Sequence, residues 1–165
     1  MFHYLKYFLF HIMGLLAVVA MYLGSDWLIY GLVGILSTYV VLDAILGDDT
    51  TIPEFKHPAI LTVQLWMALP LLSLIVFSFL WQVSPGDIMG IGEFLTSLTG
   101  YDVLAAKAES SIWSTLCAVL MTGLMIGLIG TITGHELTHR TWDPVSMIIG
   151  RWLLSFSFDV AFAVE

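Results

Sequence analysis

The chain has 165 residues, 59% of them hydrophobic and 11% charged, and a mean hydropathy of +0.95. A soluble domain carries roughly a quarter charged residues, so that class is excluded, and the hydrophobicity excludes disorder. Five Lys+Arg against thirteen Asp+Glu give a net charge of -8, which rules against a nucleic-acid partner, and a single cysteine, Cys117, excludes a disulfide scaffold. An all-α integral membrane protein remains. A membrane helix needs about 20 apolar residues, which leaves room for a multi-span bundle of about four transmembrane helices.

The first apolar run is Tyr7 to Leu23, bounded by Lys6 and by Gly24-Ser25-Asp26. Lys6 before an apolar stretch, with Ala17 to Ala20 faintly like a cleavage site, raises a signal peptide. The run is long for one, and a second span comes almost at once, so a retained helix is the better reading. The second run is Trp27 to Leu46, joined to the first by a tight turn as an antiparallel hairpin. A polar loop with two prolines, Gly47 to Pro58, is excluded from hydrocarbon. The third run is Ala59 to Trp81, with a kink expected at Pro70.

A longer connection, Gln82 to Ser111, holds Asp87, Glu93, Asp102, Lys107 and Glu109 among apolar residues. Its half-apolar part from Gly86 to Leu95 reads as a short helix in the membrane interface. The fourth span is Ile112 to Gly134. After Gly134-His-Glu-Leu-Thr-His-Arg-Thr-Trp-Asp-Pro144, a last apolar run from Val145 to Glu165 is broken by Arg151 and Asp159. It is a short span or a membrane-surface helix. The whole chain reads as one membrane domain. With four spans and the N-terminus in the cytoplasm, Lys6, Lys56, Arg140 and Arg151 lie inside and Lys107 alone outside, as the positive-inside rule asks. The segment after span four is then expected at the cytoplasmic face.

His135 and His139 stand four apart, which on a helix puts both imidazoles on one face, one turn apart. So placed, they can hold one metal ion or contribute to one centre of a pair. The plainer reading is two histidines suiting the negative end of a helix dipole. The position argues for ligation: a very apolar helix reaches water there, with Glu136 and Arg140 alongside. Gly123, Gly127, Gly130 and Gly134, spaced four, three and four, form a small-residue face that favours close helix packing. Asp43, near the end of span two, is a candidate acceptor for an imidazole N–H or, equally, a solvated helix end. Asp159 and Glu165 are further candidates to support the site. His57 reads as solvated, His11 as a packed, hydrogen-bonded histidine, and His3 as interfacial.

His135-Glu136-Leu137-Thr138-His139 also matches HExxH, in which two histidines bind zinc and the glutamate is a general base. A membrane metalloprotease is therefore a rival, though it lacks a third ligand beyond Asp159 or Glu165. A non-catalytic membrane module with structural histidines is another.

The larger segment, Gly134 to Arg140, resembles the first histidine box of the membrane fatty acid desaturase and hydroxylase superfamily. It is most similar to the membrane alkane hydroxylases, whose box reads HELxH followed by a basic residue. Leu42-Asp43-Ala-Ile-Leu-Gly47-Asp48-Asp49-Thr50, followed by Pro53, resembles the acidic loop of that family. The resemblance covers Trp27 to Glu165. It implies that His135 and His139 are ligands of a centre of two non-haem iron ions, with O₂ as co-substrate. It also implies further histidine boxes beyond Glu165, so the chain is expected to be an N-terminal fragment that is inactive alone. Glu136 is then expected either to support the ligands from behind or to be structural, rather than to act as a proteolytic base.

The implied activity is a monooxygenase that hydroxylates a long-chain alkane, or a desaturase or hydroxylase acting on a fatty acyl chain. The apolar substrate would enter from the bilayer, with Trp66, Trp113 and Phe77 as candidate channel residues. Electrons would come from a rubredoxin or ferredoxin-type donor. The implied location is the bacterial inner membrane.

Overall fold

The computed structural model describes residues 2–46 and 54–159. Asp48, Asp49, Pro53 and Glu165 therefore lie outside the described residues. The described chain is helical, with no strand among these residues: α1 Phe2–Lys6, α2 Leu9–Leu23, α3 Trp27–Leu46, α4 Pro58–Trp66, α5 Ala68–Val83, a 3₁₀ turn Ile88–Gly90, α6 Ile91–Thr99, α7 Val103–Ala108, α8 Ile112–Met125, a π-helical stretch Ile126–Thr131, α9 Ile132–Thr138 and α10 Pro144–Ser155.

Four continuous helical stretches are long and apolar enough to cross a membrane: Tyr4–Leu23, Trp27–Ile45, Pro58–Val83 and Ile112–Thr138. At 1.5 Å per residue they rise about 28 to 40 Å, against a hydrocarbon core about 30 Å thick. Only 17 to 33% of each stretch is buried within the protein. Apolar side chains such as Val40, Ile45, Trp113 and Leu120 point outward instead. Water would not tolerate that much exposed apolar surface, and lipid does. The chain is an all-α integral membrane protein.

The disturbance at Pro70 falls one turn earlier than the proline itself. α4 ends at Trp66 and α5 begins at Ala68. Trp66 is the residue whose carbonyl the Pro70 ring displaces and whose hydrogen bond a proline cannot supply. Around the break the ladder resumes, with the Met67 amide on Val63 O at 2.9 Å and the Leu71 amide on Met67 O at 3.2 Å.

The glycine stripe expected along span four does not run as one packed face. The π-helical stretch Ile126–Thr131 offsets the register of the helix beyond it. A Cβ built on Gly123 or Gly127 meets nothing within 4 Å, whereas one on Gly130 would lie 2.8 Å from Leu72 Cδ2. Close approach is confined to the stretch leading into the histidines.

Contacts divide the chain into two compact units. Residues 1–14, 49–73 and 123–165 form the first. Its core includes Leu71, Leu72, Ile129, Leu137, Leu153 and Leu154. α9 and α10 cross there at a pair of glycines: a Cβ on Gly150 would stand 2.9 Å from the Gly134 carbonyl oxygen, and one on Gly134 would stand 3.1 Å from that of Gly150. α10 has 12 residues and rises about 18 Å, too short to cross hydrocarbon. It buries Ser146, Gly150, Leu153 and Leu154, and leaves Val145, Ile148 and Trp152 exposed.

Residues 15–48 and 74–122 form the second unit. The Gly24-Ser25 turn closes the α2–α3 hairpin with φ of 62° and 47°, and the Ser25 amide donates to Ser110 Oγ at 2.8 Å. The short helix expected after Gly86 is present as a 3₁₀ turn leading into α6, and α7 follows it. Asp87 organises it, accepting from the Gly92 and Glu93 amides at 2.8 and 2.9 Å and from the Trp81 indole at 3.0 Å. Lys107 Nζ donates to Gly86 O at 2.7 Å and sits 4.2 Å from the centre of the buried Trp81 ring. Burial pushes the Asp87 carboxyl up, but the Gly92 and Glu93 amides, the Trp81 N–H and the Lys107 charge together hold it below the ordinary carboxylate range. Burial lowers the Lys107 ammonium against the opposing pull of Asp87.

Candidate metal centre at the end of the fourth span

α9 ends at Thr138, and His139 caps it in a near-helical conformation, its amide donating to His135 O at 3.3 Å. One turn of helix therefore separates the two imidazoles, and both point the same way. Their Nε2 atoms are 2.9 Å apart, and the rings stand nearly perpendicular at 80°, with centroids 4.3 Å apart. His135 is half-buried and His139 exposed, so the pair opens outward where the helix ends.

In this arrangement one ring nitrogen donates to the other, which requires one neutral imidazole to present its lone pair. The same convergence suits a cation. A 2.9 Å nitrogen–nitrogen separation is within the bite of one ion that takes imidazoles at about 2.0–2.1 Å. Among the described residues, no third His, Cys, Asp or Glu joins the two in a group that could hold a metal ion. The pair could supply two donors to an ion, and the described residues add no further His, Cys, Asp or Glu to them.

The surroundings hold this helix end in place. Arg140 Nη1 donates to Thr62 Oγ1 at 2.9 Å, and Nη2 lies 3.7 Å from Glu136 Oε1. Asp143 caps α10, accepting from the Val145 amide at 3.1 Å and from the Ser146 hydroxyl at 2.6 Å. The fully buried Ser146 hydroxyl in turn accepts from the Trp66 indole at 2.9 Å. The Ser146 hydroxyl holds the Asp143 carboxyl below its ordinary range. Burial opposes it, and the Ser146 and Val145 amides and the Arg140 charge add to it. A polar chain of side chains therefore ties α4, the His139–Asp143 turn and α10 together.

The other candidates are placed as follows. Glu136 is exposed, with Arg140 as its charged neighbour. Asp159 is exposed, and its amide donates to Leu154 O at 3.2 Å. Asp43 is exposed on α3 in the second unit. His11 Nε2 donates to the Gln64 carbonyl oxygen at 3.1 Å, and its ring is stacked on Phe10 with centroids 3.9 Å apart. His57 is exposed, its amide donating to Tyr4 Oη. Of the suggested channel residues, Trp66 is committed to Ser146 and Trp113 is exposed.

Thr62, Ser146 and Gly150 were not evident as site residues from the sequence. The one local signal is Asp143-Pro144 followed by Ser146, an N-cap acceptor with proline at the first helical position. No family model, no curated protein and no solved structure matches this chain.

Proposed function

We propose that this chain supplies the first histidine pair of a membrane-bound, non-haem di-iron oxygenase acting on long alkyl chains. The observation that carries the reading is the convergence of His135 and His139 Nε2 to 2.9 Å at the end of a membrane-crossing helix. The box sequence Gly134 to Arg140 gives the resemblance its content. An unactivated C–H bond offers nothing to acid–base catalysis, and iron bound there supplies the redox and O₂ chemistry it requires.

This chain's own residues do the positioning. His135 and His139 present their Nε2 atoms from one helix face and would hold the iron through them. Arg140, anchored on Thr62, and the Gly134–Gly150 crossing fix where that face points. Hydroxylation inserts one oxygen atom of O₂ into the C–H bond and releases the other as water, consuming two electrons and two protons. A rubredoxin or ferredoxin-type protein is the proposed electron source. The substrate is an alkane, or a fatty acyl chain, taken from the bilayer. The bacterial inner membrane, with the N-terminus and histidines on the cytoplasmic side, fits the Lys and Arg distribution.

The test is metal analysis of the full-length protein that carries this chain, purified from membranes, with alkane oxidation assayed alongside. Bound iron that is lost in both His135→Ala and His139→Ala, with alcohol formation lost too, supports the proposal. Stoichiometric zinc with peptide cleavage would replace it with a metalloprotease. Full metal content in both variants would sink the ligand assignment.

A further inference from the structure

We infer that the segment Ile88–Thr99 is a membrane-surface anchor that seats Met89, Phe94 and Leu98 among the lipids of one leaflet.

The segment belongs to the connection between α5, which ends at Val83, and α8, which begins at Ile112. Both belong to stretches that cross the membrane, so the connection starts and finishes at one membrane surface. α6 packs inward through Gly92. A Cβ there would lie 2.4 Å from Leu104 Cδ2 and 3.0 Å from the Trp81 ring, which leaves room for glycine alone unless Leu104 moves. At 100° per residue, Phe94 and Leu98 lie about 200° and 240° around the helix from Gly92. They are the outward face, and they are 63% and 69% exposed. Ile88 and Tyr101, at either end of the segment, are exposed as well.

Met89 adds an independent observation. It is 82% exposed and holds a left-handed backbone, with φ 62° and ψ 14°. Only glycine adopts that conformation without cost. Gly90 beside it is left-handed too, with φ 67°, and together they turn the chain into α6. Strain at a non-glycine residue persists only where the surroundings repay it. Asp87, holding the Gly92 and Glu93 amides, fixes the backbone turn, and the Met89 side chain itself is left outward. A flexible apolar side chain is repaid when it enters lipid.

The occupant is a lipid surface of low net charge. The connection carries Asp87, Glu93, Asp102 and Glu109 against Lys107 alone, which disfavours anionic headgroups. The contact is thus an apolar, interfacial one, with Glu93 at the edge of the inserted face.

The experiment places single spin labels at Phe94→Cys, Leu98→Cys, Glu93→Cys and Glu109→Cys, in a Cys117→Ser background. The full chain is reconstituted in phosphatidylcholine vesicles, and collision with oxygen and with a water-soluble nickel chelate is measured. Labels at 94 and 98 should collide freely with oxygen and lose access to nickel, while the label at 109 keeps nickel access. Replacing a third of the lipid with phosphatidylglycerol should not deepen the two apolar sites. Nickel access at 94 and 98 equal to that at 109 overturns the inference, because the face is then in water. Low access to both reagents overturns it too, because protein then covers the face. The wild-type chain gives a second readout. In vesicles Met89 should resist chloramine-T, and oxidation as fast as in free methionine would refute the anchor without any variant.

Discussion

Replacing Gly150 with alanine isolates the contact that positions the histidine helix. The added Cβ would stand 2.9 Å from Gly134 O, 2.9 Å from Thr138 Cγ2 and 3.1 Å from Leu137 Cβ. Ordinary contacts begin about half an ångström further out. Two of the three atoms are a backbone oxygen and a Cβ, which move only if the helix moves. Overpacking of this kind costs about 1–3 kcal/mol, whereas alanine in a helix interior gains about 1 kcal/mol over glycine. Gly123→Ala is the control, since its Cβ meets nothing within 4 Å and takes the propensity gain alone. The two variants should therefore separate by about 1–3 kcal/mol, the overpacking cost itself. Thermal unfolding in detergent micelles, followed by circular dichroism, measures the difference. Because Gly134 adjoins His135, Gly150→Ala should also weaken cobalt binding by the histidine pair, and Gly123→Ala should not. If Gly150→Ala stabilises the protein as much as Gly123→Ala does, α9 and α10 do not cross at these glycines and the crossing does not position the histidines.

Ser146→Ala leaves the Trp66 indole N–H without its acceptor, and should cost about 1–3 kcal/mol. Ser146→Thr, which keeps the hydroxyl, serves as the comparison in the same unfolding assay. Asp143 makes stability depend on acid. Its folded pKa is depressed, so its contribution is complete above about pH 4 and is lost as pH falls through the folded value. The melting temperature should drop on acidification below that point, and Asp143→Asn should flatten the drop; an unchanged acid profile would contradict the cap. Met89→Gly relieves a left-handed residue worth about 1–2 kcal/mol, less about 0.5–1 for glycine entropy. It should be more stable in detergent than Met89→Ala, which removes the same side chain but keeps the left-handed strain, and equal stability of the two would show that the φ of 62° carries no strain.

The spans were legible because they depend on one property summed over many residues. A lipid-facing helix needs about 20 apolar positions and little else, so its ends can be read to within a few residues. Span four runs four residues past Gly134, to Thr138, because the box itself is helical, and polar residues do not stop a helix whose hydrogen bonds are internal. The π-helical stretch was not legible. A spacing of four, three and four between glycines assumes an unbroken α period, and one wider turn at Ile126–Thr131 defeats it. The Pro70 disturbance could be foreseen, but its position at Met67 depends on which carbonyl the ring meets.

At the candidate site, the histidine pairing comes from local geometry: an i, i+4 pair on a helix has few ways not to converge. Its supports are of another kind. Thr62 and Arg140 are 78 positions apart, and Trp66 and Ser146 are 80 apart. No local pattern announces such pairs, because each exists only after α4 and the segment following α9 have come together. The fully buried Ser146 hydroxyl has no water to turn to and must find protein partners, which explains why the indole donor on α4 is matched by an acceptor on α10. Arginine suits the position next to the box. A guanidinium can hold Thr62 with one nitrogen and face Glu136 with another, which a lysine ammonium cannot do with the same fixed geometry. Arg140 therefore ties the end of the histidine helix to α4 through Thr62, while the exposed Glu136, on the same helix, adds only a neighbouring charge.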